Sequence, residues 1–198
     1  MKFATRFLTA KHWQLFILTF GIIFIFQISI LISIFTRSEE LNKDPSRILN
    51  ILQLFPIMMI FYCAISFGWF WSVAIGLQNK IPLEIKMKIK KFKIFFFIPL
   101  TYMLFITLIM TTAFSGVFSN DFNPMILAGS MIFIIPLHLF SIFCMLYILY
   151  FTAKTLKTAE LQRNVTFSEF IGEFFMIWFF PFGIWIIQPR INKIIEGK

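Results

Sequence analysis

The chain has 198 residues, of which 59% are hydrophobic, 14% are charged and 30 are phenylalanine. Ordinary globular chains contain roughly 45–50% apolar and about 25% charged residues, so this composition excludes a water-soluble domain and indicates a protein whose solvent is lipid. The net charge of +9 does not indicate a nucleic-acid-binding protein, because the basic residues stand beside apolar runs instead of forming a polar face or arm.

Four apolar runs without a charged residue have the length that a membrane span requires, which is about 20 residues for a hydrocarbon core about 30 Å thick. Backbone groups in lipid must hydrogen-bond within the segment, so the runs are predicted to be helices. The first is longer than the roughly 7–15 residues of a signal-peptide core and is predicted to be retained. We therefore predict an all-α integral membrane protein, a four-transmembrane-helix bundle in a single membrane domain, with spans at residues 13–35, 54–77, 94–118 and 125–151.

Small residues repeat at intervals of four on the second predicted span, at Gly68, Ser72 and Gly76. Small side chains at this spacing let another helix approach closely. The pattern predicts a helix-packing face, whose partner is either another span of the same chain or a second copy.

The loop between the second and third spans is strongly patterned. Apolar and polar residues alternate over residues 81–89, and a period of two indicates an extended strand with one apolar and one basic face. Such a segment could lie on anionic lipid headgroups, each lysine adding about 1 kcal/mol of attraction, or add a strand to a partner's sheet. The simpler interpretation is a loop whose charge only fixes the membrane orientation. Its basic residues are Lys80, Lys86, Lys88, Lys90, Lys91 and Lys93.

His138 is the one ionisable side chain within the four predicted spans. Helical spacing places it on a broad face with Ser130, Ser141 and Cys144, and Pro136 is expected to kink the helix. Ionisable residues inside a membrane are candidates for proton relay or ligand contact. The structural alternative is a neutral histidine that hydrogen-bonds to a neighbouring helix.

A fifth apolar stretch, residues 174–187, is too short to cross a bilayer and is interrupted by Pro181 and Gly183. Thr166 and Glu169 before it have the spacing of a capping box, which predicts a helix starting near Phe167. We predict a helix, a bend at residues 181–183 and a second helix that returns to the same surface.

The whole segment 167–195 is therefore predicted to be re-entrant or interfacial. A tilted fifth span is the alternative, and it would have to bury Glu173 or stretch the bilayer. Glu169 and Glu173 lie one helical turn apart. Paired carboxylates can act as acid and base or bind a cation, although a cap and a partner for the helix dipole is the simpler role.

Charge distribution predicts the orientation. With a cytoplasmic N-terminus and a fifth stretch that does not cross, 15 basic residues lie inside and only Arg37, Lys43 and Arg47 lie outside. This asymmetry is the positive-inside signal of an inner-membrane protein, here with both termini in the cytoplasm.

Residues 84–100 and 170–194 resemble segments of uncharacterised integral membrane proteins from the Bacteroidota, of the flavobacterial type. The resemblance implies an inner-membrane location and carries no assigned activity.

The leading hypothesis is a non-enzymatic scaffold, assembly or regulatory subunit without cofactor or metal. Its expected partners are the bilayer, anionic headgroups on the cytoplasmic side, and a membrane protein or a second copy. The alternative is a small-solute transporter or channel component with a polar path near His138 and the threonines of the third span. A third hypothesis is an intramembrane enzyme that acts on lipid through His138 with Glu169 or Glu173.

Overall fold

The computed structural model describes residues 2–36, 54–118 and 124–197, and these residues form helices and connecting turns with no strand among them. The external loop that carries Arg37, Lys43 and Arg47 lies outside the described residues. The helices are α1 (Lys2–Thr9), α2 (His12–Phe16), a π-helical turn (Ile17–Gly21), α3 (Ile22–Thr36), α4 (Leu54–Gly76), a 3₁₀ turn (Leu77–Lys80), α5 (Ile89–Phe118), α6 (Pro124–Leu161), α7 (Phe167–Trp178) and α8 (Phe180–Glu196).

Four helical rods are long and apolar enough to cross a membrane, which confirms the predicted all-α bundle: His12–Thr36, Phe55–Lys80, Ile89–Thr112 and Met131–Leu161. Two helices exceed the predicted spans, since α5 begins at Ile89 and α6 continues to Leu161. The added turns carry lysines, which a helix accommodates readily where its end leaves the apolar region. The α6 helix stops where Gln162 adopts a left-handed backbone with φ of 53°.

The strand predicted over residues 81–89 is wrong. Residues 81–88 form a bend, a turn and an extended segment, and α5 begins at the next residue. The alternation of faces is nevertheless present, because Ile85 and Met87 pack against the core while Lys86 and Lys88 are exposed. A period of two reports an extended backbone, but a strand also needs a hydrogen-bonded neighbour, which this segment lacks in the described part of the chain.

The C-terminal segment forms a helical hairpin, which we define as α7 and α8. Thr166 caps α7 in the predicted capping box with Glu169. The helix breaks at Phe179, two residues before Pro181, because proline suits the first turn of the following helix better than the break itself. Gly183 then crosses the backbone of Met176 so closely that a side chain would overlap the Met176 carbonyl group. The hairpin therefore turns back on itself and its two helices run antiparallel.

The packed core lies in the half of the molecule that carries the lysine loop, which we call the basic half. Trp69, Phe92, Ile148, Phe170 and Ile184 are almost completely buried there. In the opposite half the described part of the chain is more open, since α3 contains no buried residue. The basic half is the part of the protein in which side chains are brought together from distant segments.

Gln188 joins α1 to this core. Its carbonyl accepts a hydrogen bond from the Trp69 indole at 2.8 Å, and its amide donates to the backbone carbonyls of Phe7 and Ala10 at 3.0 and 2.9 Å. Carbonyls at the end of a helix lack intrahelical partners, so Gln188 satisfies groups that α1 leaves open. The N-terminal and C-terminal helices are thereby held side by side.

Candidate functional site

The lysine loop and the end of α6 enclose a pocket of about 410 Å³, which we call the basic pocket. It combines cationic and phenolic side chains, and no carboxylate lines it. The groups that can contact a ligand there are Lys86, Lys88, Lys91, Tyr147, Tyr150 and Lys154.

Aromatic packing positions these groups. The Phe92 and Phe151 rings stack with centroids 4.7 Å apart and fix the first turns of α5 against α6. The Lys91 ammonium lies 5.0 Å from the Tyr147 ring centroid, a distance at which a cation is attracted to the ring face. Packed aromatic side chains therefore form one wall of the basic pocket, although two of its lysines, Lys86 and Lys88, come from a loop.

The predicted basic loop divides between two roles. Lys86, Lys88 and Lys91 line the basic pocket, whereas Lys80 contacts the carbonyl of Ile195 at 3.5 Å. Lys90 and Lys93 are exposed and do not line the basic pocket, and the Lys93 ammonium lies 5.9 Å from the Trp71 ring centroid.

Lys154 is the pocket lysine that the sequence did not single out, and Tyr147 and Tyr150 were not singled out either. It follows Tyr150 by four positions and Tyr147 by seven on a continuous helix, so the three side chains share one face. That spacing was the available signal. This shared face forms part of a pocket only because the lysine loop folds over it.

Four charged side chains join the end of α6 to the hairpin, and we call them the ion cluster. Lys157 donates to Glu173 at 2.9 Å, and Arg190 contacts Glu173 at 2.6 Å. Arg190 also donates two hydrogen bonds to the Glu160 carboxylate, through Nε and Nη2. Bidentate pairing of this kind is the strong form of an ion pair.

Glu173 is the buried member of the ion cluster. Burial alone would raise the pKa of its carboxyl group, but hydrogen bonds from Arg190 and Lys157 outweigh that effect and the pKa is lowered. The hydrogen bond to Glu160 is the largest of the effects that raise the pKa of Arg190. Both groups are therefore held charged, and the hairpin is tied to α6 at the level of Glu173.

Glu169 has different partners. Its carboxylate accepts hydrogen bonds from the Thr166 backbone N–H at 2.7 Å and from Arg163. These contacts, the backbone bond first, lower the pKa of Glu169 to about 2. Neither Glu169 nor Glu173 lines a cavity with His138, so the structure does not bring together the three side chains of the enzyme hypothesis.

His138 contacts a neighbouring helix. Its Nδ1 atom lies 2.9 Å from the Tyr102 hydroxyl of α5, and both side chains line a cavity of about 370 Å³ with Ser141. Cys144 is buried outside that lining, and the Ser130 side chain lies outside the described part. Tyr102 could not have been chosen from the sequence, because 36 residues separate it from His138.

The threonines of α5 do not extend this cavity. Thr107 and Thr111 donate to the carbonyls four residues earlier, at 2.7 and 2.8 Å. Thr101 lines a different, shallow pocket. The polar groups that line the cavity with His138 are Tyr62, Ser66, Tyr102 and Ser141, and no threonine of α5 is among them.

The small-residue face of α4 is partly covered within the chain. Ser72 is fully buried and donates to the carbonyl of Gly68 at 2.7 Å, while Gly68 and Gly76 are half-buried. Close packing at Ser72 is therefore already used by the protein's own helices.

No protein-family model, curated protein or solved structure matches this chain. The fold defines the class: an all-α membrane protein with four helices able to span a bilayer and a helical hairpin at its basic half. The basic pocket and the cavity at His138 are the two candidate binding sites.

Proposed function

We propose that the protein is a non-enzymatic subunit of a bacterial inner membrane, with a scaffold, assembly or regulatory role, whose basic half binds anionic phospholipid headgroups. The basic pocket carries this proposal. Four lysines and two tyrosine hydroxyls surround one space, and none of those lysines forms an ion pair with a carboxylate in the part of the chain that the structure describes. Clustered cations without a counter-charge attract an anion from outside.

A phosphodiester suits the groups present. Each lysine near an anionic surface contributes about 1 kcal/mol of attraction, and tyrosine hydroxyls can donate hydrogen bonds to phosphate oxygens. Met87 and Phe151 also line the pocket and offer apolar contact to the glycerol part of a lipid. The pocket lies where α5 begins and α6 approaches its end, which is the level expected for headgroups if these helices span the bilayer.

Leu83 adds a second contact with the bilayer. It is completely exposed at the turn of the lysine loop, close to Lys86. An apolar side chain beside basic residues is typical of segments that insert shallowly into a charged membrane surface. The loop is therefore suited to hold lipid in its pocket and to anchor its own tip.

The carboxylates support a binding role over acid–base catalysis. Glu173 is held by Arg190 and Lys157, and Glu169 caps α7 and pairs with Arg163. Both pKa values lie below the ordinary range, whereas a general base that works near neutral pH needs a raised one. These residues fasten the hairpin to the bundle.

For the orientation we propose that both termini and the lysine loop are cytoplasmic. The contact between α1 and α8 through Gln188 agrees with termini on one side, and the charge asymmetry gives the direction. Cysteines introduced at Lys2 and Gly197 should react with an impermeant maleimide only after the cells are permeabilised, whereas one at Ser38 should react in intact cells. Labelling of one terminus alone in intact cells would contradict the proposal.

Lipid binding is tested in nanodiscs that contain phosphatidylglycerol and phosphatidylcholine, with bound lipid measured by native mass spectrometry. The double variant Lys91→Gln/Lys154→Gln removes two pocket charges. At about 1 kcal/mol each, affinity for phosphatidylglycerol should fall about thirtyfold. Lys90→Gln/Lys93→Gln removes the same charge outside the pocket and should change affinity only slightly.

Two results would refute the pocket. One is an equal loss in both double variants, which would mean that only net charge matters. The other is equal retention of phosphatidylcholine and phosphatidylglycerol by the native protein. Thermal unfolding of each variant in detergent shows whether the fold is intact.

A further inference from the structure

The cavity at His138 lies between α4, α5, α6 and the tip of the hairpin. Its volume of about 370 Å³ falls in the range of small-molecule sites, and most of the side chains around it are apolar or aromatic. Ile177, Trp178 and Phe180 close it from the hairpin side. Its polar lining consists of Tyr62, Ser66, Tyr102, His138 and Ser141.

Two of these polar groups have hydrogen-bonding capacity to spare. Tyr102 engages Nδ1 of His138, and Nε2 has no partner in the described part of the chain. The Ser66 residue is only 5% exposed, and its hydroxyl lies near Tyr62 without forming a hydrogen bond of good geometry. Of the two, only Ser66 is buried, since His138 is exposed, and a buried polar group without a partner is costly at membrane depth, where no water competes.

Lipid tails could fill the volume but could not satisfy these groups. A charged molecule is equally unsuited, because no lysine, arginine, aspartate or glutamate lines the cavity to compensate it. The occupant that fits both constraints is apolar over most of its surface, uncharged, and provided with an oxygen that can hydrogen-bond.

We infer that this cavity binds a neutral lipophilic molecule of one or two rings that carries a carbonyl or hydroxyl group, with the oxygen directed to His138, Tyr102 and Ser66 and the rings against Trp178 and Phe180. The site is separate from the basic pocket. Met145 and Leu149 of α6 face the cavity, whereas Tyr147, Tyr150 and Phe151 face the pocket. Either site can therefore fail its test without affecting the other.

Benzophenone is a suitable probe, because it is an uncharged two-ring ketone and its photoexcited carbonyl reacts readily with methionine. Met103 and Met145 line the cavity, while Met110 and Met131, on the same two helices, are exposed on the outside of the bundle. Irradiation of the native protein in nanodiscs, followed by peptide mass spectrometry, should give adducts at Met103 and Met145 in excess over Met110 and Met131. Labelling in proportion to exposure would refute a defined site.

Competition tests the hydrogen-bonding oxygen in the unaltered protein. Benzhydrol and diphenylmethane have the same two rings, but only benzhydrol carries a hydroxyl group. Benzhydrol should suppress labelling of Met103 and Met145 at about tenfold lower concentration, the factor expected for a hydrogen bond of about 1.4 kcal/mol. Equal competition would mean that the cavity accepts any apolar body, and the inference would be wrong.

A variant provides a second arm. Tyr102→Phe/His138→Leu removes the polar pair and should weaken labelling at Met145 about tenfold without altering labelling at Met131. Unchanged labelling in a folded variant would contradict the assigned orientation. If the variant does not fold, the competition experiment on the native protein still decides the matter.

Discussion

The basic half and the opposite half of the bundle are stabilised in different ways. In the basic half, Trp69, Phe92 and Phe170 are buried against other helices. In the opposite half, Phe24, Phe35 and Phe133 are 63%, 78% and 79% exposed, although they are equally apolar. Lipid solvates such side chains as well as a protein interior does, so this half needs little tertiary packing to be stable in a membrane.

Polar contacts show the same difference. Thr36, Thr107 and Thr111 hydrogen-bond to their own helices, four residues back. Gln188, by contrast, contacts Trp69 and Phe7 across 119 and 181 residues of sequence. The spans can therefore form from local interactions, whereas the basic half depends on contacts that exist only when the whole chain is folded.

The largest effect is expected at the turn of the hairpin. In Gly183→Ala the added methyl group would overlap the Met176 carbonyl, and because backbone cannot move aside as a side chain can, we expect a loss of about 3 kcal/mol or more. Gly129→Ala in the opposite half has open space and should be neutral or stabilising by about 1 kcal/mol. Thermal unfolding in detergent measures both. A similar change of stability in the two variants would contradict the proposed difference between the halves.

The ion cluster should give the next largest effect. Arg190→Met leaves the Glu173 carboxylate in a buried place with Lys157 as its remaining partner, and breaking such a pair costs about 3 kcal/mol. Arg163→Met breaks the exposed pair with Glu169 and should cost much less, because solvent screens an exposed ion pair. Unfolding curves of the two variants test this order. An Arg190→Met protein as stable as the parent would show that the cluster does not hold the hairpin.

Gln188→Leu probes the attachment of α1. The substitution leaves the Trp69 indole N–H without its acceptor and removes the hydrogen bonds that the Gln188 amide donates to the end of α1, at a cost of about 1–3 kcal/mol. We expect α1 to detach first, seen as faster hydrogen exchange in residues 2–10. Gln27→Leu, on the exposed surface of α3, is the matched control and should leave exchange in α1 unchanged.

Acid should weaken the hairpin before the spans. The folded pKa values of Glu169, about 2, and of Glu173 are lowered below the ordinary value of 4.5, so both carboxylates stabilise the fold above that value. This contribution is lost as the pH falls from 4.5 toward the folded pKa values, because over that range the unfolded state binds protons that the folded state does not. Unfolding midpoints measured between pH 6 and pH 3 should fall, and Glu169→Gln should reduce the slope. An unfolding midpoint that rises as the pH falls would contradict this prediction.

The hairpin shows which structural features local sequence signals can predict and which they cannot. The capping box at Thr166 and the interruption around Pro181 predicted two helices, and the structure has them, with the break at Phe179. Both signals are local, because a cap and a proline act on the backbone within one turn. That Glu173 would meet Arg190 is a consequence of the turn geometry, which the pattern does not contain.

The sequence by itself determined the four long helices, since a chain this apolar must satisfy its backbone within each segment. Tertiary structure alone decided that residues 81–88 would fold over α6 without becoming a strand, that Lys154 would join the loop lysines, and that Tyr102 would meet His138. The physical reason is the range of the interactions. Hydrophobic length and caps act over a few residues, whereas the pocket, the ion cluster and the cavity depend on how separate helices pack.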